Sequence, residues 1–348
     1  MPAANSPPAA LILGCSGLTL GHAERRLFAD VNPLGFILFG RNIDTPDQVR
    51  ALVEDLRASV GRDDAPVLID QEGGRVQRLR PPYWRKAPPG APFARLAALD
   101  PEAARRALRL NFRLIGRELA ALGIDVDCAP VLDVPVDGAH DVIGDRAYGT
   151  EPGQVATLAR EAIEGLLDEG VLPIVKHIPG HGRATVDSHV ALPVVTTPAD
   201  QLEAWDFAPF RALADAPWAM TAHVVYDAFD PAHPATTSAR VIGEVIRGHL
   251  GFDGVLVSDD LSMKALGGRF EDRARDSLDA GCDLLLHCNG DMDEMAALAR
   301  AARKLTPAAE ARLARADARR RRPEPFDAAE ADAWITAQLA RVGARIDG

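Results

Sequence analysis

Eight short runs rich in Val, Ile and Leu recur along this chain, each ending in Gly, Asp, His or Asn or close to one of them: Ala9–Gly14, Gly35–Gly40, Pro66–Asp70, Asp125–Val134, Leu172–His177, Trp218–Val225, Gly254–Ser258 and Cys282–His287. Stretches of helical length lie between them: Ala23–Asp30, Pro46–Val60, Glu102–Leu122, Gly153–Gly170, Pro198–Ala214, Ser238–Leu250, Met263–Gly281 and Asp291–Arg303. Thr45-Pro46 and Thr237-Ser238 supply starting caps, and Gly170 and Gly281 supply stops. Apolar runs of this length alternating with amphipathic stretches are what a parallel sheet with crossover helices requires. Eight such units in 348 residues predict an α/β fold, a single (β/α)8 TIM-type barrel over residues 1–305. Residues 306–348 then form a C-terminal helical extension, packed on the barrel or trailing from it, with a last amphipathic helix around Ala328–Val342. A doubly wound open sheet is the alternative, but it has no use for all eight runs.

A barrel of this kind carries its chemistry at the carboxyl ends of its strands. The polar residues of this chain fall there: Asp70-Gln71-Glu72 after the third run, Asp133 after the fourth, Lys176-His177 after the fifth, His223 after the sixth, Asp259-Asp260 after the seventh, and His287 and Asn289 after the eighth.

Composition narrows the partners. A formal net charge of −11 cannot supply the basic field that a polyphosphate needs, so nucleic acid is excluded and a small or neutral substrate fits. The Arg319–Arg322 run reads as a solvated helix end in an acidic whole. Four scattered cysteines without a CxxC pair predict free thiols in a reducing cytoplasm. The apolar run Ala9–Leu13 is too short for a signal or a span. Leu11–Cys15 has the outline of a lipoprotein box, yet lacks the basic and long apolar stretch before it, and the reading preferred is a first strand. The expectation is a soluble cytoplasmic monomer without membrane contact.

Three constellations carry chemistry. Lys176-His177-Ile178-Pro179-Gly180-His181-Gly182 continues to Asp187-Ser188-His189, and its Pro and Gly residues predict a shaped loop over the barrel mouth. Asp187 and His189, two apart, share one face of an extended segment, so the carboxylate can fix the imidazole tautomer and raise its pKa. Such a dyad is suited to general acid/base work. In Val255–Met263, a strand delivers Asp259-Asp260 to its carboxyl end. Adjacent strand residues point oppositely, so one carboxylate faces the axis and the other is expected to cap the following helix; periodicity leaves open which. Asp70–Arg78 offers acids, an amide and arginines to hydroxyl groups, and Gly73-Gly74 permits close backbone approach. It matches neither a dinucleotide fingerprint nor a phosphate loop.

The segments IDQEGGRVQR, IGDRAYG, VKHIPGHGRATVDSH and VLVSDDLSM, in this order and spacing, resemble those of the bacterial β-N-acetylhexosaminidases of glycoside hydrolase family 3, over roughly residues 8–305. The resemblance implies a single-domain barrel that removes terminal β-linked N-acetylglucosamine, from 1,6-anhydro-N-acetylmuramic acid with or without its peptide, by double displacement and with neither cofactor nor metal. By motif it makes Asp259 the nucleophile, His189 the acid/base and Asp187 its dyad partner. It assigns Asp70, Arg78, Arg146, Lys176 and His177 to the terminal sugar. The family usually has an aromatic residue where this chain has Ile178, a departure that leaves the chemistry intact.

Two other enzymatic readings compete. A metal-dependent barrel hydrolase could use His177, His181, His189, His223 and Asp259, but the chain has no HxH pair at the first strand and no HExxH. A family 3 β-glycosidase of other specificity shares the barrel, although its relatives tend to put the acid/base in another domain. A catalytically silent sugar-binding barrel would be expected to have lost the nucleophile or the dyad.

Overall fold

A computed structural model of the chain describes residues 7–188 and 190–344. Eight strands follow the expected runs: β1 Ala9–Gly14, β2 Pro33–Leu38, β3 Val67–Ile69, β4 Val126–Asp127, β5 Leu172–Ile178, β6 Trp218–Thr221, β7 Val255–Asp260 and β8 Leu284–His287. Each pairs in parallel with its sequence neighbours, and β8 pairs with β1, so the sheet closes into a barrel. Strands covered on both faces read as continuous apolar runs rather than alternating ones. Six of the residues of β1, and likewise of β2, are all buried.

The outer layer comprises α1 His22–Val31, α2 Pro46–Val60, α3 Gly90–Leu99, α4 Pro101–Ala120, α5 Pro152–Asp168, α6 Ala199–Ala204, α7 Ala208–Ala212, a π-helical segment Val241–His249, α8 Phe270–Ala280 and α9 Met292–Ala301. Thr45 Oγ1 accepts the Gln48 N–H at 3.3 Å with Pro46 in the first turn, the expected start for α2.

The single helix expected over Pro198–Ala214 is two short ones, α6 and α7. Pro209 has no N–H to continue a helix, and between the two Asp206 turns inward to accept from Arg183 Nε at 2.6 Å. Likewise the helix expected from Met263 begins only at Phe270, because Gly267-Gly268 intervenes with Gly268 at φ +79°.

Beyond the barrel, α10 Pro307–Asp317 runs under its floor and α11 Ala328–Ala340 packs on α4, with Ile335 and Leu339 fully buried. The arginine run between them is exposed at Arg321 and Arg322, but Arg319, Arg320 and Arg321 are paired rather than free. Arg321 pairs with Asp168 at 2.7 Å and Glu164 at 2.5 Å. Arg320 donates to the carbonyls of Asp125 and Gly170, both at 2.7 Å, and Arg319 to that of Asp215 at 2.6 Å. An acidic barrel floor offers these arginines partners at contact distance. No helix among the described residues is long and apolar enough to cross a membrane.

Candidate active site

A cavity of about 150 Å³ opens at the carboxyl ends of the strands. Its polar lining is Asp70, Glu72, Arg78, Arg146, Lys176, His177, Asp259 and Asp260, and its apolar wall includes Phe39, Met220 and Leu286. Cys288 completes that wall with a thiol whose pKa burial pushes well up, so the sulfur is neutral.

The chain leaving β3 sets the first acids. Asp70 and Glu72, two residues apart in extended backbone, present their carboxylates to the same side. Lys176, at the end of β5 and 2 % exposed, donates to Asp70 Oδ1 at 2.8 Å and pairs with Glu72 Oε1 at 2.7 Å. Arg78 donates to Asp70 Oδ2 at 3.1 Å. Arg146 grips Glu72 with two parallel bonds, Nε to Oε2 at 2.8 Å and Nη2 to Oε1 at 2.7 Å. Burial alone would raise both carboxyls, but the cations outweigh it: Lys176 and Arg78 hold Asp70 well below the usual range, and Arg146 and Lys176 bring Glu72 down to about 2. Burial would lower Lys176, but the same two carboxylates drive it above the ordinary lysine value. The network is ionised throughout and presents fixed donors and acceptors. Behind it lies Asp127, fully buried. Its Oδ1 accepts the Gln71 N–H at 2.9 Å, its Oδ2 meets no partner among the described residues, and burial pushes its pKa well up.

Adjacent strand residues point to opposite faces, yet Lys176 and His177 both line the cavity; the peptide between them is cis, and the pairing of β5 with β6 slips a residue there. Asp133, fully buried, accepts from or shares a proton with His177 Nδ1 at 2.6 Å and accepts the His181 N–H at 2.6 Å. Burial would raise Asp133, but the charges and hydrogen bonds of His177 and His181 hold it down to about 2. With Nδ1 engaged, Nε2 is the ring nitrogen His177 has for the cavity.

Asp259 is half-buried at the end of β7, its Oδ1 accepting the Asp260 N–H at 2.8 Å and its own N–H directed to Thr221 Oγ1 at 3.3 Å. Asp260 does not cap a helix, contrary to expectation. It accepts from Ser262 N–H at 2.9 Å, Ser262 Oγ–H at 2.6 Å and the Cys288 N–H at 3.1 Å, and so ties the loop after β7 to the loop after β8. Both aspartates touch the cavity, because the pairing of β7 with β8 shifts between Val257 and Asp260.

The loop after β5 is anchored at its base. Gly180 C=O accepts from Tyr226 Oη at 2.5 Å, Ala184 C=O from His140 N–H at 2.8 Å, and Ser188 C=O from Ala265 N–H at 3.2 Å. A Cβ on Gly182 would collide with the Val134 carbonyl, which is why the loop needs glycine there. His181 is buried against Ser188 Oγ at 3.1 Å, and burial, aided by His177, lowers its pKa to about 4. Asp187 is half-buried, and its carbonyl accepts the N–H groups of Val190 and Ala191 at 2.9 and 3.0 Å. His189 lies outside the described residues. On either side of the Ser188 anchor, Val186 and Val190 are exposed.

Residues 13–321 match the glycosyl hydrolase family 3 N-terminal domain. The chain belongs to glycoside hydrolase family 3. The β-hexosaminidase of Alkalilimnicola ehrlichii is 44 % identical over 283 residues, 80 % of each chain, and that of Aromatoleum aromaticum 37 % over 332 residues, 94 % of this chain and 91 % of its own. NagZ from Neisseria gonorrhoeae, solved in complex with N-trifluoroacetyl-D-glucosamine, superposes with a TM-score of 0.82 at 31 % identity, covering 97 % of this chain and 98 % of that one. A family 3 β-N-acetylglucosaminidase from a Paenibacillus species gives 0.82 at 33 % identity over 94 % of this chain, which spans 66 % of that longer one.

In this family 3 glycoside hydrolase, Asp259, Asp70, Arg78, Arg146, Lys176 and His177 therefore meet around one cavity. The other strand-end histidines turn away. His223 spends one nitrogen on Thr236 Oγ1 at 2.7 Å and the other on the Asp260 carbonyl at 3.0 Å, leaving no lone pair for a metal. His287 Nε2 faces Glu294 of α9 at 2.9 Å. Among the described residues, no three His, Cys, Asp or Glu side chains are grouped to hold a metal ion. Sequence reasoning placed Glu72 and Asp133 at the strand ends, and Glu72 among the acids offered to hydroxyls, but gave neither a specific role. Glu72 pairs with Arg146 and Lys176, and Asp133 with His177, contacts between residues far apart in the chain.

Proposed function

We propose that this enzyme is a retaining exo-β-N-acetylglucosaminidase, acting on terminal β-linked N-acetylglucosamine. What carries the reading is the pairing of one strand-end carboxylate, Asp259, with a cavity of about 150 Å³ ringed by an ionised network, room for a single pyranose rather than a chain. The β-hexosaminidase names of its relatives support the sugar.

In this reading Asp259 attacks the anomeric carbon from one face while His189, oriented by Asp187, protonates the departing glycosidic oxygen. The resulting glycosyl ester is then hydrolysed by water, which gives its proton to His189 as Asp259 leaves. The imidazolium that gives up the proton attracts the carboxylate of Asp259, and the neutral imidazole left after transfer, which takes the proton of water in the second step, does not repel it as a second carboxylate would. Asp70, ionised, accepts from sugar hydroxyls. Lys176, Arg78 and Arg146 donate to hydroxyl and N-acetyl oxygens, and His177 turns Nε2 to the ring. The loop that carries Asp187 and His189 closes over the bound sugar. No cofactor or metal enters these steps.

By the family resemblance the leaving group is 1,6-anhydro-N-acetylmuramic acid, free or with peptide, so the enzyme serves peptidoglycan recycling and, through it, cell-wall synthesis, shape and division. The four buried free cysteines suit a reducing cytoplasm, and a site built from one chain suits a monomer without nucleic-acid or membrane partners.

The test is release of p-nitrophenol from its β-N-acetylglucosaminide at neutral pH with a strong chelator present, the first-formed sugar anomer being followed by NMR. Chelator-resistant release with the β-anomer first is expected. An α-anomer first would overturn double displacement, loss with chelator would restore the metal reading, and faster release from the β-glucoside would favour the other family 3 specificity.

A further inference from the structure

The stem of the loop after β5 rests on one corner of the outer layer. Arg183 Nε donates to Asp206 Oδ2 at 2.6 Å, and a Cβ on Gly180 would stand 3.0 Å from the Asp206 carbonyl oxygen, so the loop lies directly on the turn between α6 and α7. The next residue, Phe207, meets Tyr226 edge-on at 5.8 Å, and Tyr226 Oη donates to the Gly180 carbonyl at 2.5 Å. Asp206 and Phe207 thus form a platform that meets the loop once through charge and once through a packed aromatic.

Asp206 is 1 % exposed, and its Oδ1 meets no partner among the described residues. A buried ion pair with an unsatisfied oxygen adds little stability, because desolvation offsets the attraction between its charges. What this one does supply is a fixed point. Arg183 is four residues from Asp187, a stretch that spans no more than about 14 Å, so the tether limits where the far end of the loop can go.

Burial pushes the Asp206 carboxyl up to about 6 against the pull of Arg183, and Asp133, ionised on the loop after β4, adds to the rise. Tyr226, the other titratable group beside it, is neutral, since burial pushes its phenol well up. Asp206 therefore loses its charge, and Arg183 its ionic partner, just below neutral pH.

We infer that Arg183 and Asp206 are positioning residues for the hydrolysis: their ion pair fixes the stem of the loop, so that the acid/base dyad farther along it is delivered to the glycosidic oxygen. Neither lines the sugar cavity. The inference rests on the reading of Asp187 and His189 as that dyad.

The experiment sets a leaving group that needs a proton against one that does not. p-Nitrophenolate departs unaided, whereas the sugar alkoxide of N,N′-diacetylchitobiose requires general-acid help. In Arg183→Met, kcat/KM on diacetylchitobiose should fall about tenfold at neutral pH, while that on the p-nitrophenyl glycoside stays within about twofold of wild type. The deficit should fade as pH drops through about 6, where wild type loses the ion pair as well. Asp206→Asn, which copies the protonated carboxyl, should reproduce the deficit, and the double variant should be no worse than either single one. A deficit equal at every pH, or equal on both substrates, would reduce the pair to a structural role and overturn the inference. Wild-type turnover of diacetylchitobiose by both single variants would overturn it too. Asp187→Ala separates the tether from the reading beneath it, because it should show the same leaving-group dependence more strongly. If Asp187→Ala shows none, the acid/base assignment falls and the inference with it; if it does and Arg183→Met does not, only the tether falls.

Discussion

The mouth and the floor of the barrel are both built from arginine and carboxylate, and they do opposite things with them. At the mouth the charges are buried and interlocked: Lys176 is 2 % exposed and holds two carboxylates that Arg78 and Arg146 hold as well. At the floor Arg315, Arg319 and Arg321 reach from the C-terminal segment to Asp253, Asp215, Glu164 and Asp168 across a largely wetted surface. Charges in the first setting are locked in place, because removing one leaves another buried without compensation. Those in the second are individually expendable, since water replaces what is lost. The first arrangement is suited to holding a sugar in one pose, the second to clamping a chain terminus.

Four substitutions put that contrast at risk. The largest effect is expected from Asp259→Ala, which should lower kcat/KM for the p-nitrophenyl glycoside about 10⁴-fold while the melting temperature stays close to wild type. Activity within tenfold of wild type would remove Asp259 from the reaction. Next is Lys176→Met, where Asp70 and Glu72 lose a shared cation. Urea unfolding at neutral pH should register a loss of about 3–5 kcal/mol.

The pH dependence of that loss has a definite sign. Glu72 is held down to about 2 from an ordinary 4.5, so the stability from its pairing is complete above pH 4.5 and disappears as pH falls toward 2. The gap between Lys176→Met and wild type should accordingly narrow on acidification through that window. A gap that widened there would contradict the ionised network.

The C-terminal clamp supplies the smaller effects. Ile335→Ala, which empties a fully buried position where α11 meets α4, should cost about 3 kcal/mol and leave p-nitrophenol release per folded molecule intact. Coupled loss of turnover would mean that the clamp supports the mouth. Arg315→Ala should cost under about 1 kcal/mol, and less again in high salt. A salt-insensitive loss several times larger would erase the distinction between mouth and floor.

Much of this architecture was legible in the chain. The eight apolar runs became eight barrel strands, and Thr45-Pro46 began a helix as its chemistry requires. Thr306-Pro307 carried the same signal for α10, with Thr306 Oγ1 accepting the Ala309 N–H at 3.1 Å, and was passed over in an Ala/Arg-rich stretch. Helix α3 gave less warning, for it starts after Pro89 with no side-chain cap. Asp260 was misread as a helix cap because Gly267-Gly268 delays the next helix, leaving its carboxylate to the Cys288 N–H beyond the neighbouring strand β8. The arginine run is exposed at Arg321 and Arg322 as its composition suggested, but the pairing of Arg319 and Arg321 was not legible, because their acids lie on other βα units.

The sequence by itself determined the number of βα units, the periodicity that makes each strand and helix, and the strand ends at which polar groups collect. These depend on residues within a few positions of one another. Only the tertiary structure decided the pairings: Lys176 with Asp70, 106 residues apart, Arg146 with Glu72, 74 apart, and His177 with Asp133, 44 apart. Local propensity is a property of neighbours along the chain, whereas burial and charge compensation exist only once the barrel has closed and brought distant strand ends around one cavity.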